Sequence, residues 1–409
     1  MRQLTAVAGP EDAGRRVKTY VRGRMGVSYH QFAALKVRGG LRVNGAPVHA
    51  NHPLRPGDEV TVVLEDAPRE PVAFDETPVS VLYEDEDILI IDKPAPLATQ
   101  CSVKQTAMTL ENRLAYRYRG DPGFVFRPLN RLDKGTSGLL AAAKNAHACQ
   151  ALQRQLHAPE FIREYLAVAE GRLDGEGAID APIAKEAAAT VRRIVDPENG
   201  VRAVTRYRVL RAGDGHSLVR LRLETGRTHQ IRVHLSHIGH PVAGDFLYGR
   251  EDPRLPGRFA LHSAYIRLRH PVTGEVVERE SPLPAALAQL MADDAVLGSR
   301  VTVTVDRPLG SCHPDYPDMV YPVNYGFVAG VMAPDGEAQD AYVLGVDAPV
   351  ETFAGRVAAI VRRRDDVEDK WVVCPEGAAF TAEEIMDRIR FQEQFFDAFI
   401  IVPGGVRSC

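Results

Sequence analysis

The chain has 409 residues, 45% of them hydrophobic and 25% charged, with a formal net charge of −4. That balance predicts a soluble globular protein of two or three domains at roughly 150 residues each. It excludes a disordered or collagen-like chain, and no apolar run approaches the roughly 18 residues that a bilayer crossing needs.

Five scattered cysteines, Cys101, Cys149, Cys312, Cys374 and Cys409, predict reduced thiols in a cytoplasm, with neither a disulfide framework nor a zinc site. The opening stretch has no apolar core long enough for a signal peptide, so none is expected. The charge is unevenly spread. Residues 1–60 hold 10 Lys and Arg against 4 Asp and Glu, and residues 301–409 hold 9 against 18. The front suits a polyanion, and the back suits cations or anions bridged by cations.

The first segment is assigned to residues 1–68. In "DAGRRVKTYVRGRM" Val17, Tyr20 and Val21 share one helical face, and Arg15, Arg16, Lys18, Arg22 and Arg24 crowd the rest. "SYHQFAALKVRGG" predicts a second helix with Ser28 as N-cap and Gly39 as stop. "LRVNGAPVHA" predicts a hairpin turning at Asn44-Gly45, and "LRPGDEVTVVL" a turn and closing strand. Two basic helices feeding a small sheet resemble the RNA-binding module of ribosomal and RNA-modifying proteins. The plain alternative is a solvated basic face.

A link containing Pro and acids, "EDAPREPVAFDETP", leads to a second segment assigned to 75–290. "VSVLYEDEDILIIDKPAP" reads as strand, acidic turn, strand. "FIREYLAVAEG" reads as a strand, "SLVRLRLE" alternates as a half-buried strand, and "THQIRVHLSHIGHP" reads as a short helix stopped at Gly239. The irregular order of strands and helices predicts a mixed, largely antiparallel sheet. The third segment, assigned to 299–405, follows the helix "PAALAQLMADDAVLGS". It has short strands with Gly, Pro and Asp turns, then a helix opened by the capping box Thr381 and Glu384. A small β-barrel with a closing helix is expected. The fold class is therefore α+β and multidomain.

Chemistry concentrates in "RPLNRLDKGTSGLLAAAKN". Asp133 is its one carboxylate, between Arg131 and Lys134. A lone Asp in a basic loop serves as a turn residue. It also serves as a nucleophile at a sugar carbon if it is ionised and oriented. An arginine beside it, such as Arg227 or Arg232, would keep it ionised. A tyrosine such as Tyr165 could move a proton. Spacing alone leaves both readings open.

"NRLDKGTSGLL", "REYLAVAEG", "GRTHQIRVHL", "GDFLYG", "DKP" and "HPVTGE" fall in order and resemble the RluA-type RNA pseudouridine synthases. The resemblance covers nearly all of 80–281. It implies an isomerase of uridine in rRNA or tRNA that needs no cofactor. It implies Asp133 as the essential aspartate, Tyr165 as the active-site tyrosine and Arg232 as the arginine pairing with the aspartate. It also implies Arg131 as a residue that helps displace the base, and Arg227 is assigned to the RNA path. The chain departs from the family at Asn130, usually His, at Arg163 in the usual "KxY", and at "TQCS", usually His-Pro after "KP". The first and last changes bear on target choice more than on chemistry.

In the tail, "PDGEAQD" places Asp335, Glu337 and Asp340 at i, i+2 and i+5, and "RRRDDVEDKW" adds Asp365, Asp366, Glu368, Asp369 and Lys370. Such clusters are either solvated acidic loops or oxygen ligands for Mg²⁺. "YPVNYGF", "DGEAQDAYV" and "DDVEDKW" resemble the soluble inorganic pyrophosphatases. That implies Asp335, Glu337, Asp340, Asp366 and Asp369 as Mg²⁺ ligands, the last two in a register loose by one residue. It implies Tyr325 and Lys370 as the pyrophosphate-binding pair. The segment is short for that family and lacks the hairpin that supplies a lysine, a glutamate and an arginine. A bifunctional enzyme and a synthase with a non-catalytic binding or assembly tail are both expected possibilities. A middle segment that only binds RNA is a third.

Overall fold

The computed structural model describes residues 2–27, 29–64, 72–102, 105–121, 123–156, 158–187 and 189–403. The expected N-cap Ser28 and residues 65–71 of the first link lie outside the described residues. By packing, the chain forms two compact units. One comprises the residues up to Tyr165 with Arg222–Gly226 and Leu261–Pro282; the other comprises Leu166–Leu221, Arg227–Ala260 and the chain from Leu283 onward.

The first unit opens with β1 (Arg2–Val7), α1 (Val17–Gly23), α2 (Tyr29–Arg38), β2 (Leu41–Val43), β3 (Ala46–Pro47) and β4 (Glu59–Leu64). The strands lie in the order β1-β4-β2-β3. Val17, Tyr20 and Val21 are fully buried, as their helical spacing predicts. The Tyr20 hydroxyl donates to the Val7 carbonyl at 2.9 Å, which fastens α1 to β1. α2 stops at Gly39 (φ +71°), and the β2–β3 turn uses Asn44 and Gly45 at φ 50° and 78°, the left-handed pair a tight hairpin demands. β1 is not anticipated by the sequence. It pairs antiparallel with β4, Leu4 opposite Val62.

The middle of the chain follows as β5 (Ser80–Glu84), β6 (Ile88–Lys93), α3 (Leu110–Arg117), β7 (Arg127–Pro128), β8 (Ser137–Ala143), α4 (Ala146–Gln155), β9 (Ile162–Glu170), β10 (Glu176–Asp180), β11 (Ile183–Lys185), β12 (Arg193–Val195), β13 (Val204–Ala212), β14 (His216–Leu223), α5 (Gln230–His237), β15 (Leu261–Arg269) and β16 (Val276–Glu280). In the first unit the strands run β15-β8-β6-β5, with β16 beside β15 and β7 beside β8. β8 is antiparallel to β6 and parallel to β15, so the sheet is mixed. All seven residues of β8 are buried, as expected of a central strand covered on both faces. In the second unit β10 and β13 pair antiparallel and β14 lies beside β13.

α6 (Ala285–Val296) leads to β17 (Arg300–Arg307), β18 (Asn324–Met332), β19 (Ala338–Val343), β20 (Thr352–Arg363), β21 (Lys370–Cys374), α7 (Ala382–Glu393) and β22 (Ala398–Ile401). The order is β17-β18-β19-β21-β20-β22, and β17 also pairs with β20, so five strands close into a barrel. α7 begins with the expected capping box. Thr381 Oγ1 accepts the Glu384 amide at 3.2 Å, and the Thr381 amide donates to Glu384 Oε2 at 2.7 Å. No helix among the described residues is long and apolar enough to cross a membrane.

Candidate active site

The loop between β7 and β8 carries Asp133. The Asp133 carbonyl accepts the Thr136 amide at 3.1 Å, closing a tight turn. The segment after β6 stitches this loop on both sides of Asp133. Thr99 Oγ1 donates to the Leu132 carbonyl at 2.8 Å and accepts the Leu132 amide at 3.2 Å. The Leu97 amide donates to the Lys134 carbonyl at 2.9 Å. That segment is itself held by Lys93, which is fully buried and donates to the carbonyls of Leu97 at 2.7 Å and Pro94 at 3.0 Å. Buried ammonium and carbonyls thus satisfy one another where neither is solvated. Asp133 is half-buried, while Arg131 and Lys134 are exposed. Asn130 Oδ1 is buried with no hydrogen-bond partner among the described residues.

Tyr165 lies on β9, 5% exposed. Burial pushes its phenol above the usual range; Arg163 and the Ser263 hydrogen bond pull the other way, and the charge of Asp133 adds to the rise. The phenol is therefore neutral at physiological pH and can donate a proton or a hydrogen bond. Gly138 sets the approach of Ser263. It sits at φ +103°, and a Cβ there would fall 2.2 Å from the Ser263 carbonyl oxygen. Only glycine permits β8 and β15 to close at that point.

Arg232 is placed in the second unit, on α5. Within that unit its Nε lies 2.6 Å from Asp245 Oδ2 and its Nη2 2.8 Å from Asp245 Oδ1. Asp245 is fully buried and also accepts the amides of Leu247 and Tyr248. The guanidinium lies 4.1 Å from the Phe259 ring centroid and 5.0 Å from that of Tyr248. A forked pair between rings leaves Arg232 little freedom. His229 enters α5 at φ 59°, its Nδ1 2.8 Å from the Tyr248 hydroxyl. Arg227 is exposed, its amide on Gln230 Oε1 and its Nε on the Arg202 carbonyl. In the sequence Asp245 is legible only as part of "GDFLYG", with no role attached.

The described chain matches the family model for RNA pseudouridylate synthases over residues 87–237. It is 40% identical over 255 residues to the uncharacterized RNA pseudouridine synthase YhcT of Bacillus subtilis, covering 61% of this chain and 83% of that protein. The chain belongs to the RNA pseudouridine synthases. It is also 36% identical over 310 residues to the ribosomal large subunit pseudouridine synthase D of Haemophilus influenzae, covering 71% of this chain and 89% of that one. A solved inorganic pyrophosphatase from Ehrlichia chaffeensis aligns at TM-score 0.21 and 18% identity over 25% of this synthase and 84% of that chain. A likeness that distant carries no argument about the tail.

On the synthase's first segment, Lys18, Arg22, Tyr29, Phe32 and Lys36 line a cleft of about 790 Å³ between α1 and α2. Tyr29 is 66% exposed, and the Arg22 guanidinium lies 5.6 Å from its ring centroid. Arg15 and Arg16 are exposed, and Arg15 also pairs with the buried Asp12.

The tail does not gather the five expected ligands. Asp335 and Glu337 are exposed on the turn before β19, and Asp335 Oδ1 accepts the Glu337 amide at 2.9 Å. Asp366 binds Arg363 at 2.9 Å, and Asp369 binds Arg362 at 2.7 Å. The carboxylate that does join Asp340 is Glu368. Lys370 Nζ lies 2.7 Å from Asp340, 3.0 Å from Glu368 and 2.8 Å from the Tyr325 hydroxyl, which itself donates to Asp340. Glu368 and Asp369 both precede β21; Glu368 joins Lys370, and Asp369 joins Arg362. Burial raises the pKa of both carboxyls. For Asp340, the Lys370 charge and the hydrogen bonds of Lys370, Tyr325 and Glu368 together outweigh burial and the net shift is down; for Glu368 burial wins and the shift is up. Lys370 thus already engages both members of this pair. The residues as arranged do not fit a Mg²⁺ cage, which needs several converging oxygens. Among the described residues the one group of three candidate ligands is Asp85, Asp87 and His270. There His270 Nδ1 accepts the amides of Val272 and Thr273, and Nε2 lies 2.9 Å from Asp85. It caps a turn.

Proposed function

We propose that this synthase isomerises a uridine in structured RNA, with ribosomal RNA the first candidate because of the Haemophilus relative's name and transfer RNA the second. Asp133 is the nucleophile at the sugar carbon. The N-glycosidic bond breaks as the carboxylate bonds to the ribose, the detached uracil turns, and C5 bonds to the same sugar carbon as the carboxylate leaves it, which frees Asp133 again. The proton on C5 is lost and N1 gains one, so atoms balance without a cofactor. Tyr165, neutral, serves the proton transfer, and Arg232 supports the aspartate. Arg131 and Arg227 meet the RNA, with Arg15, Arg16, Lys18 and Arg22 gripping its backbone. Flipping the target costs a few kcal/mol and is least costly in a loop. The setting is cytoplasmic. The observation that carries this reading is the double stitching of the Asp133 loop, at Leu132 and at Lys134, beside a buried neutral tyrosine. Asp133→Asn should abolish pseudouridine formation and leave RNA affinity within about twofold. Activity retained in that variant would remove the nucleophile.

For the tail, the reading we favour is a non-catalytic domain, not a Mg²⁺-dependent pyrophosphatase. The observation favouring it is the engagement of Asp340, Asp366 and Asp369 by Lys370, Arg363 and Arg362. Full-length protein given pyrophosphate and Mg²⁺ should release no more phosphate than an Asp335→Ala variant. Mg²⁺-dependent release lost in that variant would restore hydrolysis as a second activity.

A further inference from the structure

Five charged side chains of the second unit alternate in sign from the synthase segment into the tail. Asp252 holds Arg254 at 2.6 Å, Arg254 reaches Asp293 at 2.9 Å, Asp293 takes Arg362 at 2.9 Å, and Arg362 takes Asp369 at 2.7 Å. The side chains are 8%, 3%, 1%, 17% and 23% exposed in that order. Asp293, on α6, is the shared member. Arg362 grips it with both terminal nitrogens, and Gln289 donates to it at 3.0 Å. Its neighbour Asp294 holds the buried His216 of the β13–β14 hairpin at 3.0 Å. The end of α6 also packs on the barrel, with Val296 and Leu297 against its core.

The segment that Arg254 anchors bears on Arg232. Leu255, 2% exposed, and the Arg258 carbonyl lie against Gly244, where a Cβ would come within 3.1 Å and 3.3 Å of them. Gly244 immediately precedes Asp245, the forked partner of Arg232, and the same segment ends at Phe259, the ring beneath its guanidinium. Both supports of Arg232 thus flank the stretch that Arg254 pins.

We infer that the tail is a brace for the isomerase site, with Arg362, Asp293 and Arg254 as positioning residues that hold the 245–259 stretch and, through it, Arg232. The inference rests on the synthase reading above. A buried charge that loses its partner is costly, so the chain of pairs fails as a unit when a member is removed. Small displacements of a positioned group cost rate more than binding.

The test uses full-length Asp293→Asn and Arg362→Gln, with Arg364→Gln as control. Arg364 is exposed and pairs outward, with Asp397 at 2.8 Å. Expected are a kcat for pseudouridine formation about tenfold lower in Asp293→Asn and a few-fold lower in Arg362→Gln, with KM within about twofold. Amide exchange over 245–259 should quicken in both, and the control should match wild type. Arg362→Gln equal to wild type in kcat and in exchange would overturn the brace, even if Asp293→Asn is impaired, because α6 alone would then suffice. If Arg362→Gln loosens the whole tail, exchange over 245–259 in the same sample decides: quickened supports the brace, unchanged overturns it. Wild-type protein that makes no pseudouridine would sink the synthase reading, while the exchange comparison would still judge the brace.

Discussion

Gly138 shows how much one missing side chain can fix. Its positive φ and the 2.2 Å gap to the Ser263 carbonyl leave no room for a methyl group. Gly138→Ala should cost on the order of 3 kcal/mol, from backbone strain and overpacking together. A urea melt would measure it, and an unchanged midpoint would show that β8 and β15 can part freely. At this scale the sequence singles out Asp133 and Tyr165 as candidates, because each sits inside a compact motif. It does not single out the residues that hold the surrounding loops. Lys93 looks like the polar end of a strand until its carbonyl partners fold back over it. Asp245 stands 13 positions from Arg232, and only tertiary structure brings them into a fork. Sequence reasoning names Asp369 in a register loose by one residue, and no local signal tells that Glu368 is the neighbour that joins Lys370 and Asp340.

The β5–β6 hairpin gathers charge from neighbouring elements. Glu84 accepts from Tyr118 at 2.6 Å, Lys144 at 2.9 Å and Arg117 at 3.1 Å. Burial alone would raise its pKa; those hydrogen bonds outweigh burial and bring it down to about 2. The folded value lies below the unfolded one, so its stabilisation is complete above the unfolded value and is lost as pH falls towards 2. Wild type should therefore lose roughly half of its margin over Glu84→Gln between pH 5 and pH 3. Urea midpoints at both values check this, and a pH-independent difference would refute it. Most elements could be read from local signals: the buried face of α1, the Asn44-Gly45 turn, the stop at Gly239 and the α7 capping box. β1 could not, since its short pattern gains meaning only beside β4, more than fifty residues on.

For the whole molecule, the basic cleft of Lys18, Arg22 and Lys36 around Tyr29 suits an RNA backbone with a base stacked on the ring. Deleting residues 1–66 should weaken RNA binding and flatten its salt dependence, by about one unit of slope for each phosphate left without its cation. A filter-binding titration across salt concentrations measures both, and an unchanged slope would assign the grip elsewhere. Composition divides the chain into three stretches. Packing draws a border within β9, after Tyr165, where no change of composition marks it.

The closure of the tail barrel also has a bearing on solubility. Open sheets offer unpaired backbone at their margins, and those margins recruit strands from other chains. Here β17 pairs with both β18 and β20. Among the described residues the margin left is β22, only four residues long. Copies of the chain that met through their barrels would find almost nothing to zip together, so the domain adds little risk of strand-to-strand aggregation.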